Sequence, residues 1–178
     1  MNRSIFAATL AGIALVAFPL ESRAQVSTVV KPVQFGVAAG AALPMSDFAD
    51  AANTGFNGTV TLGLNPALIP LGIRVDGAYN QFGIKGFSEN ARIASLTGNL
   101  VYSVPSTGVS PYLIGGIGFY NLSSSGGGSS ENDFGWNVGG GIKMPLSGFD
   151  TFIEARFNQV QTSGISTRFI PITFGIMF

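Results

Sequence analysis

With 178 residues, the chain is long enough for a single domain once a targeting segment is removed. Nine basic residues balance nine acidic ones, so no net charge draws it to nucleic acid, and the absence of Cys and His removes disulfides, thiolate and imidazole metal ligands, and every mechanism that needs a histidine base. Charged residues make up only 10% against about 25% in ordinary soluble domains, and 25 Gly and 15 Phe fill the gap.

The N-terminus reads MNRSIFAATLAGIALVAFPLESRAQ. Arg3 gives a positive start, Ile5 to Leu20 an apolar run, and Ser22-Arg23-Ala24 a small-x-small cleavage site, so residues 1–24 are predicted to be a secretory signal peptide cut before Gln25. A spanning helix needs about 20 apolar residues, more than this run supplies, and Pro19 sits near its end. The absence of Cys excludes a lipid anchor after cleavage.

Residues 25–178 alternate with a period of two, the signature of strands with unlike faces. Val33, Phe35, Val37, Ala39, Ala41 and Leu43 share the apolar face of the first strand; Phe56, Val60, Leu62 and Leu64 that of the second; Leu71, Ile73, Val75 and Tyr79 that of the third. Ala94, Leu96, Leu100, Tyr102 and Val104 follow, then Tyr112, Ile114, Tyr120 and Leu122, read as the apolar face opposite Leu113, Ile117 and Phe119. Phe134, Trp136, Val138, Ile142 and Met144 lie on the sixth strand, and Phe149, Ile153, Ala155 and Phe157 on the seventh. In the last, Arg168 to Phe178, the bulky face carries Ile170, Ile172, Phe174, Ile176 and Phe178.

Connections alternate between longer polar ones (44–55, 82–90, 123–133, 160–167) and short proline-containing ones (65–70, 105–110, 145–148), as extracellular loops and periplasmic turns do. Drawn up and down, Phe56, Tyr79, Tyr120, Trp136 and Phe157 gather at the loop end, and Phe35, Tyr102, Tyr112, Phe149 and Phe178 at the turn end. Two aromatic girdles are what lipid interfaces favour, and only a closed sheet satisfies its backbone in hydrocarbon. The predicted fold is therefore all-β, an eight-stranded antiparallel up-and-down transmembrane barrel over residues 25–178.

Four motifs, PYLIGGIGFY (Pro111 to Tyr120), FGWNVGGGIKMPL (Phe134 to Leu146), FIEARFNQV (Phe152 to Val160) and the terminal FGIMF, carry a resemblance to the small outer-membrane barrels of the OmpX, OmpA-barrel and Opa type. The resemblance covers essentially the whole mature chain, with no counterpart expected for the periplasmic domain of full-length OmpA. It implies a bacterial outer-membrane location, a monomer without a wide pore, and contact with outer-membrane lipid and lipopolysaccharide. It also implies insertion by the barrel assembly machinery, with Phe174, Gly175, Ile176 and Phe178 matching the C-terminal assembly signal. Family membership leaves the activity open, because members differ chiefly in their loops.

The best-defined constellation is Arg74 and Asp76 with Glu154 and Arg156, two inward pairs on opposite walls of an interior just wide enough for side chains. Meeting across the lumen, they would cancel as a neutral plug; a gate is the other reading. Asn99, Thr97, Asn137 and Lys143 would extend either arrangement. Asp76 and Glu154 each have an arginine two residues away, so they are expected to remain ion-pair partners rather than act as acid and base. The glycine runs Gly115 to Gly118 and Gly139 to Gly141 lack the strand-to-helix setting and the Lys of a phosphate loop. Loop residues remain candidates for recognition: Asp47, Phe48 and Asp50; Lys85, Phe87 and Glu89; Glu131 and Asp133; and Arg168. The expectation is a non-catalytic protein with no cofactor or bound metal and a structural or surface-interaction role, with a possible extracellular ligand on its loops. The alternative is a narrow channel or a transporter for small or apolar solutes through a lateral opening.

Overall fold

The computed structural model describes residues 32–65, 70–106, 108–126, 130–162 and 166–178; the expected signal peptide lies outside the described residues. Eight strands run in chain order: β1 Val33–Met45, β2 Gly55–Leu64, β3 Leu71–Gly83, β4 Asn90–Ser103, β5 Ser110–Ser124, β6 Glu131–Pro145, β7 Asp150–Val160 and β8 Thr167–Met177. Each pairs antiparallel with the next and β8 returns to β1, closing the barrel. At the seam Phe178 N–H donates to Phe35 O at 2.7 Å and Phe35 N–H to Phe178 O at 3.2 Å. Closure leaves no sheet edge, the condition for a sheet to cross hydrocarbon.

Strand ends reach further into the connections than the sequence alone suggests. β3 continues to Gly83 and β5 to Ser124, while β6 begins at Glu131, so part of each polar loop is hairpin. The first loop contains a short helix, α1 Asp47–Ala51, which the polar composition of 44–55 conceals. Its Phe48 ring packs edge-on against Phe82, 4.9 Å between centroids, and Phe82 in turn meets Phe169 at 5.7 Å.

On β5 the faces are the reverse of the expectation. Tyr112, Ile114 and Tyr120 point into the barrel and are buried, whereas Leu113, Ile117 and Phe119 face outward, Phe119 with 68% of its surface exposed. Tyr112 and Tyr120 are thus no part of the girdles. The physical reason is that tyrosine is apolar only along its ring: inside the lumen both hydroxyls find acceptors, which hydrocarbon would deny them. Close packing also requires it, because Gly116 and Gly118 face inward against the β4 backbone, where a Cβ would collide. The other girdle residues, Phe35, Phe56, Tyr79, Tyr102, Trp136, Phe149, Phe157 and Phe178, lie on the outer wall, and Phe119 and Phe134 join the loop-end set with rings 6.0 Å apart.

The outer wall exposes Val37, Val60, Ile73, Leu96, Leu100, Leu113, Val138, Ile153 and Phe174 together, an apolar belt that water would not tolerate and lipid requires. The inside is layered. Ala42, Phe82, Ile93, Tyr120, Val160 and Phe169 form an apolar cap at the loop end, beneath α1. Polar and charged side chains fill the middle, and Tyr112, Ile114, Phe152 and Met177 cluster toward the turn end. The lumen is thus apolar toward both ends and polar in its middle, with Leu113, Ile117 and Phe119 outside it rather than within.

Candidate functional site

The middle layer is built by period-two placement on opposite walls. β3 and β7 stand four strands apart in the closed order, and both pairs, Arg74 and Asp76 on β3 and Glu154 and Arg156 on β7, point inward. None of the four retains more than 8% of its surface. Arg74 donates through one terminal nitrogen to both Glu154 oxygens, at 2.9 and 2.7 Å, and through Nε to Asp76 Oδ2 at 3.1 Å. Arg156 donates through Nη1 to Asp76 Oδ2 at 2.9 Å and through Nε to Glu154 Oε1 at 3.0 Å, with Nη2 also on that oxygen. Each arginine therefore binds both carboxylates. Two positive and two negative charges close a ring across the lumen, which offsets the cost of taking them out of water.

Neighbours satisfy the remaining lone pairs. Asp76 accepts from Thr61 Oγ1 and from Asn99 Nδ2, the latter at 2.9 Å, and Asn137 Nδ2 donates to Asn99 Oδ1 at 2.9 Å. Tyr112 Oη donates to Glu154 Oε2 at 2.8 Å, and the Phe152 ring lies 5.9 Å from the Arg74 guanidinium carbon. Thr97 joins through Asn99, whose Nδ2 lies 3.1 Å from its Oγ1. Lys143 stands apart, 4.0 Å from Asp150, in a second polar group where Asp150 accepts from Gln34 at 2.9 Å.

Thr61, Tyr112 and Phe152 are members that sequence reasoning missed, and on β5 both Tyr112 and Tyr120 were expected on the opposite face. A signal was present: Leu113, Ile117 and Phe119 are purely apolar, while the opposite face of β5 carries two hydroxyls.

Two small cavities, each of about 30 Å³, flank the charged layer, one toward the loops and one toward the turns, and both are lined by Arg74 and Phe152. That is room for a water or two, since about 10–15 Å³ of such space holds one. Among the described residues there is no group of three or more acidic, His or Cys side chains placed to hold a metal ion. The arrangement can neutralise, brace and block.

In sequence, residues 7–178 match the family described as outer membrane protein beta-barrel domain. The chain belongs to this family, and its place is the bacterial outer membrane. No curated protein matches the chain. Among solved structures it is similar to the Neisserial surface protein A, NspA, at 19% identity and a TM-score of 0.69, covering 83% of this chain and 96% of that one. It is similar to Ail, the attachment invasion locus protein of Yersinia pestis, at 19% identity and a TM-score of 0.50, covering 83% and 100%. The outer membrane enzyme PagL is also similar, at 16% identity and a TM-score of 0.51, covering 82% and 98%. At these identities the likeness is one of fold, and the fold carries surface proteins and an enzyme alike.

Proposed function

We propose that this protein is a sealed, non-catalytic outer-membrane barrel that serves as a rigid base for surface interactions made by its extracellular loops. The observation that carries this reading is the ring of Arg74, Asp76, Glu154 and Arg156, in which each arginine spans both carboxylates across the lumen. The apolar cap of Phe82 and Phe169 under Phe48 is a second obstruction at the loop end. Against catalysis, both lumenal carboxylates are held by arginines and no histidine is available as a base. Two proteins of the same fold are named for the cell surface and for attachment, which favours the loops as the working part. In this reading residues 1–24 are a signal peptide removed before Gln25, the barrel is a monomer, and the C-terminal Phe174, Gly175, Ile176 and Phe178 address it to the assembly machinery.

The alternative is a channel gated by the same four residues. Planar-bilayer recording of the folded Arg74→Ala/Glu154→Ala variant separates the two. The sealed reading expects it to stay as silent as wild type, because the apolar cap is untouched; steady current steps in the variant would make the ring a gate.

A further inference from the structure

The cavity on the turn side of the charged layer is walled differently from its counterpart on the loop side. Its base is apolar, made by the buried Tyr112 and Phe152 rings, Met177 and Val101, and Arg74 closes its inner end. Its rim is polar, made by Gln34, Asn65, Ser103 and Lys143. These four stand at or just past the ends of β1, β2, β4 and β6, on the side of the proline-containing turns, where an outer-membrane barrel meets the periplasm. The rim is open: the Lys143 side chain keeps 28% of its surface exposed and that of its neighbour Asp150 20%. An apolar hollow with a few convergent polar groups at its mouth is the form of a small-molecule site.

The hydrogen bonds of the rim leave one group over. Asn65 Nδ2 donates to Gln34 Oε1 at 2.6 Å, and Gln34 Nε2 donates to Asp150 Oδ2 at 2.9 Å. This head-to-tail chain holds Asp150 toward Gln34. Lys143 Nζ is left 4.0 Å from the same carboxylate oxygen, beyond hydrogen-bond reach, and it has no other ion pair among the described residues. An ammonium carries three N–H donors, and half-burying them without acceptors costs free energy. The acceptors nearby are engaged, Gln34 Oε1 by Asn65 and both Glu154 oxygens by Arg74. The pocket is therefore short of an acceptor, and a negatively charged one suits the ammonium best.

We propose that this pocket binds the carboxylate end of a short chain from the periplasm. The carboxylate is held by Lys143 Nζ and the Ser103 hydroxyl, and the adjoining carbons lie against Met177 and Phe152. Size sets the class: a cavity of about 30 Å³ has room for about two water-sized groups, so only one or two carbons beyond the carboxylate enter it. Two sources share that chemistry, a free short-chain acid and the C-terminal alanine of a peptide. The site ends at Arg74 and needs no path through the barrel, so it stands whether or not the lumen is sealed.

Methionine-methyl NMR of the barrel folded in lipid nanodiscs and titrated with propionate reads the site, because Met177 is in its wall and Met45 lies at the opposite end of the barrel. A saturable shift of the Met177 signal is expected, with Met45 unmoved. Propionamide, of the same shape without the charge, should leave both signals in place. Lys143→Gln should weaken propionate binding about tenfold or more, the worth of a hydrogen bond to a charged group. Gly63→Ala keeps every charge and adds a carbon 3.3 Å from Met177 Cε at the pocket wall. It should weaken binding as well, and asks the same question should Lys143→Gln fail to fold. N-acetylalanine separates the sources: binding as tight as that of propionate assigns the site to a peptide end, and much weaker binding assigns it to a free acid. No saturable shift at Met177, an equal shift with propionamide, or unchanged affinity in the folded variants would overturn the proposal and leave the cavity to water.

Discussion

Asn158 donates its side-chain amide to the carbonyl oxygen of Arg156, 3.0 Å away, where the next strand offers no N–H. The cause is Pro171 on β8. Between the pairs Ala155↔Ile172 and Asn158↔Phe169 the ladder of β7 and β8 skips two steps, at Arg156 opposite Pro171 and at Phe157 opposite Ile170. Proline has no N–H to give and is normally kept out of interior strands for that reason. Asn158 makes good the loss from inside the lumen, and Tyr120 Oη holds it there by donating to its Oδ1 at 3.0 Å. Removing Asn158 should therefore cost about 1–3 kcal/mol, the penalty of a buried carbonyl left unpaired. In a Pro171→Ala background, where a backbone N–H returns, the same Asn158→Ala change should cost clearly less. Urea unfolding from lipid vesicles reads both, and strictly additive effects would show that the two residues do not share this acceptor.

The charged ring makes a sharper demand. Arg74→Ala leaves Glu154 and Asp76 with one arginine between them, and breaking a buried ion pair typically costs about 3–5 kcal/mol. Arg74→Ala/Glu154→Ala removes both members of the closest cross-lumen contact and should cost less than the sum of the two single changes. A double-mutant cycle in vesicles measures the difference; an interaction energy near zero would mean that the ring adds nothing beyond its individual residues.

Tyr112→Phe deletes one hydroxyl and little else. Because that hydroxyl donates to an ionised carboxylate at 2.8 Å, the loss should be about 1.5–3 kcal/mol, more than for a bond between neutral groups. A substitution without effect on the unfolding midpoint would place Tyr112 Oη elsewhere than on Glu154.

Gly175 is read from sequence as part of an assembly signal, and in the barrel it faces inward. A Cβ there would run into the Phe152 ring and come within 2.8 Å of the Ala38 Cβ. Gly175→Ala should thus displace Phe152, whose ring lies beside Arg74, and destabilise the folded barrel by about 1–3 kcal/mol through overpacking. Pairing it with Phe152→Leu should recover part of the loss, which a purely assembly-based role for Gly175 would not allow.

Strand count, closure and the lipid belt were legible because seven strands set apolar residues against polar or small ones with a period of two. β5 was not, since both its faces carry bulky apolar groups and only the hydroxyls of Tyr112 and Tyr120 mark the inside. Arg74, Asp76, Glu154 and Arg156 could be brought together from sequence because R-x-D and E-x-R on opposite walls must both point inward. Their individual bonds depend on strand stagger, which alternation does not encode. Asn158 escaped notice for a similar reason: its task follows from Pro171 lying beside it on another strand, a relation that only the register reveals. Helix α1 hid in a short polar stretch whose Phe48 finds its partner, Phe82, 34 residues later.

The central claim is that the lumen is sealed, and single-channel recording of wild-type protein folded into planar bilayers tests it most directly. With a heat-modifiable, correctly folded sample, a flat baseline with no resolved steps is expected. Reproducible steps of one size from the same sample would contradict it, and would make the space between Arg74 and Phe152 a conducting path.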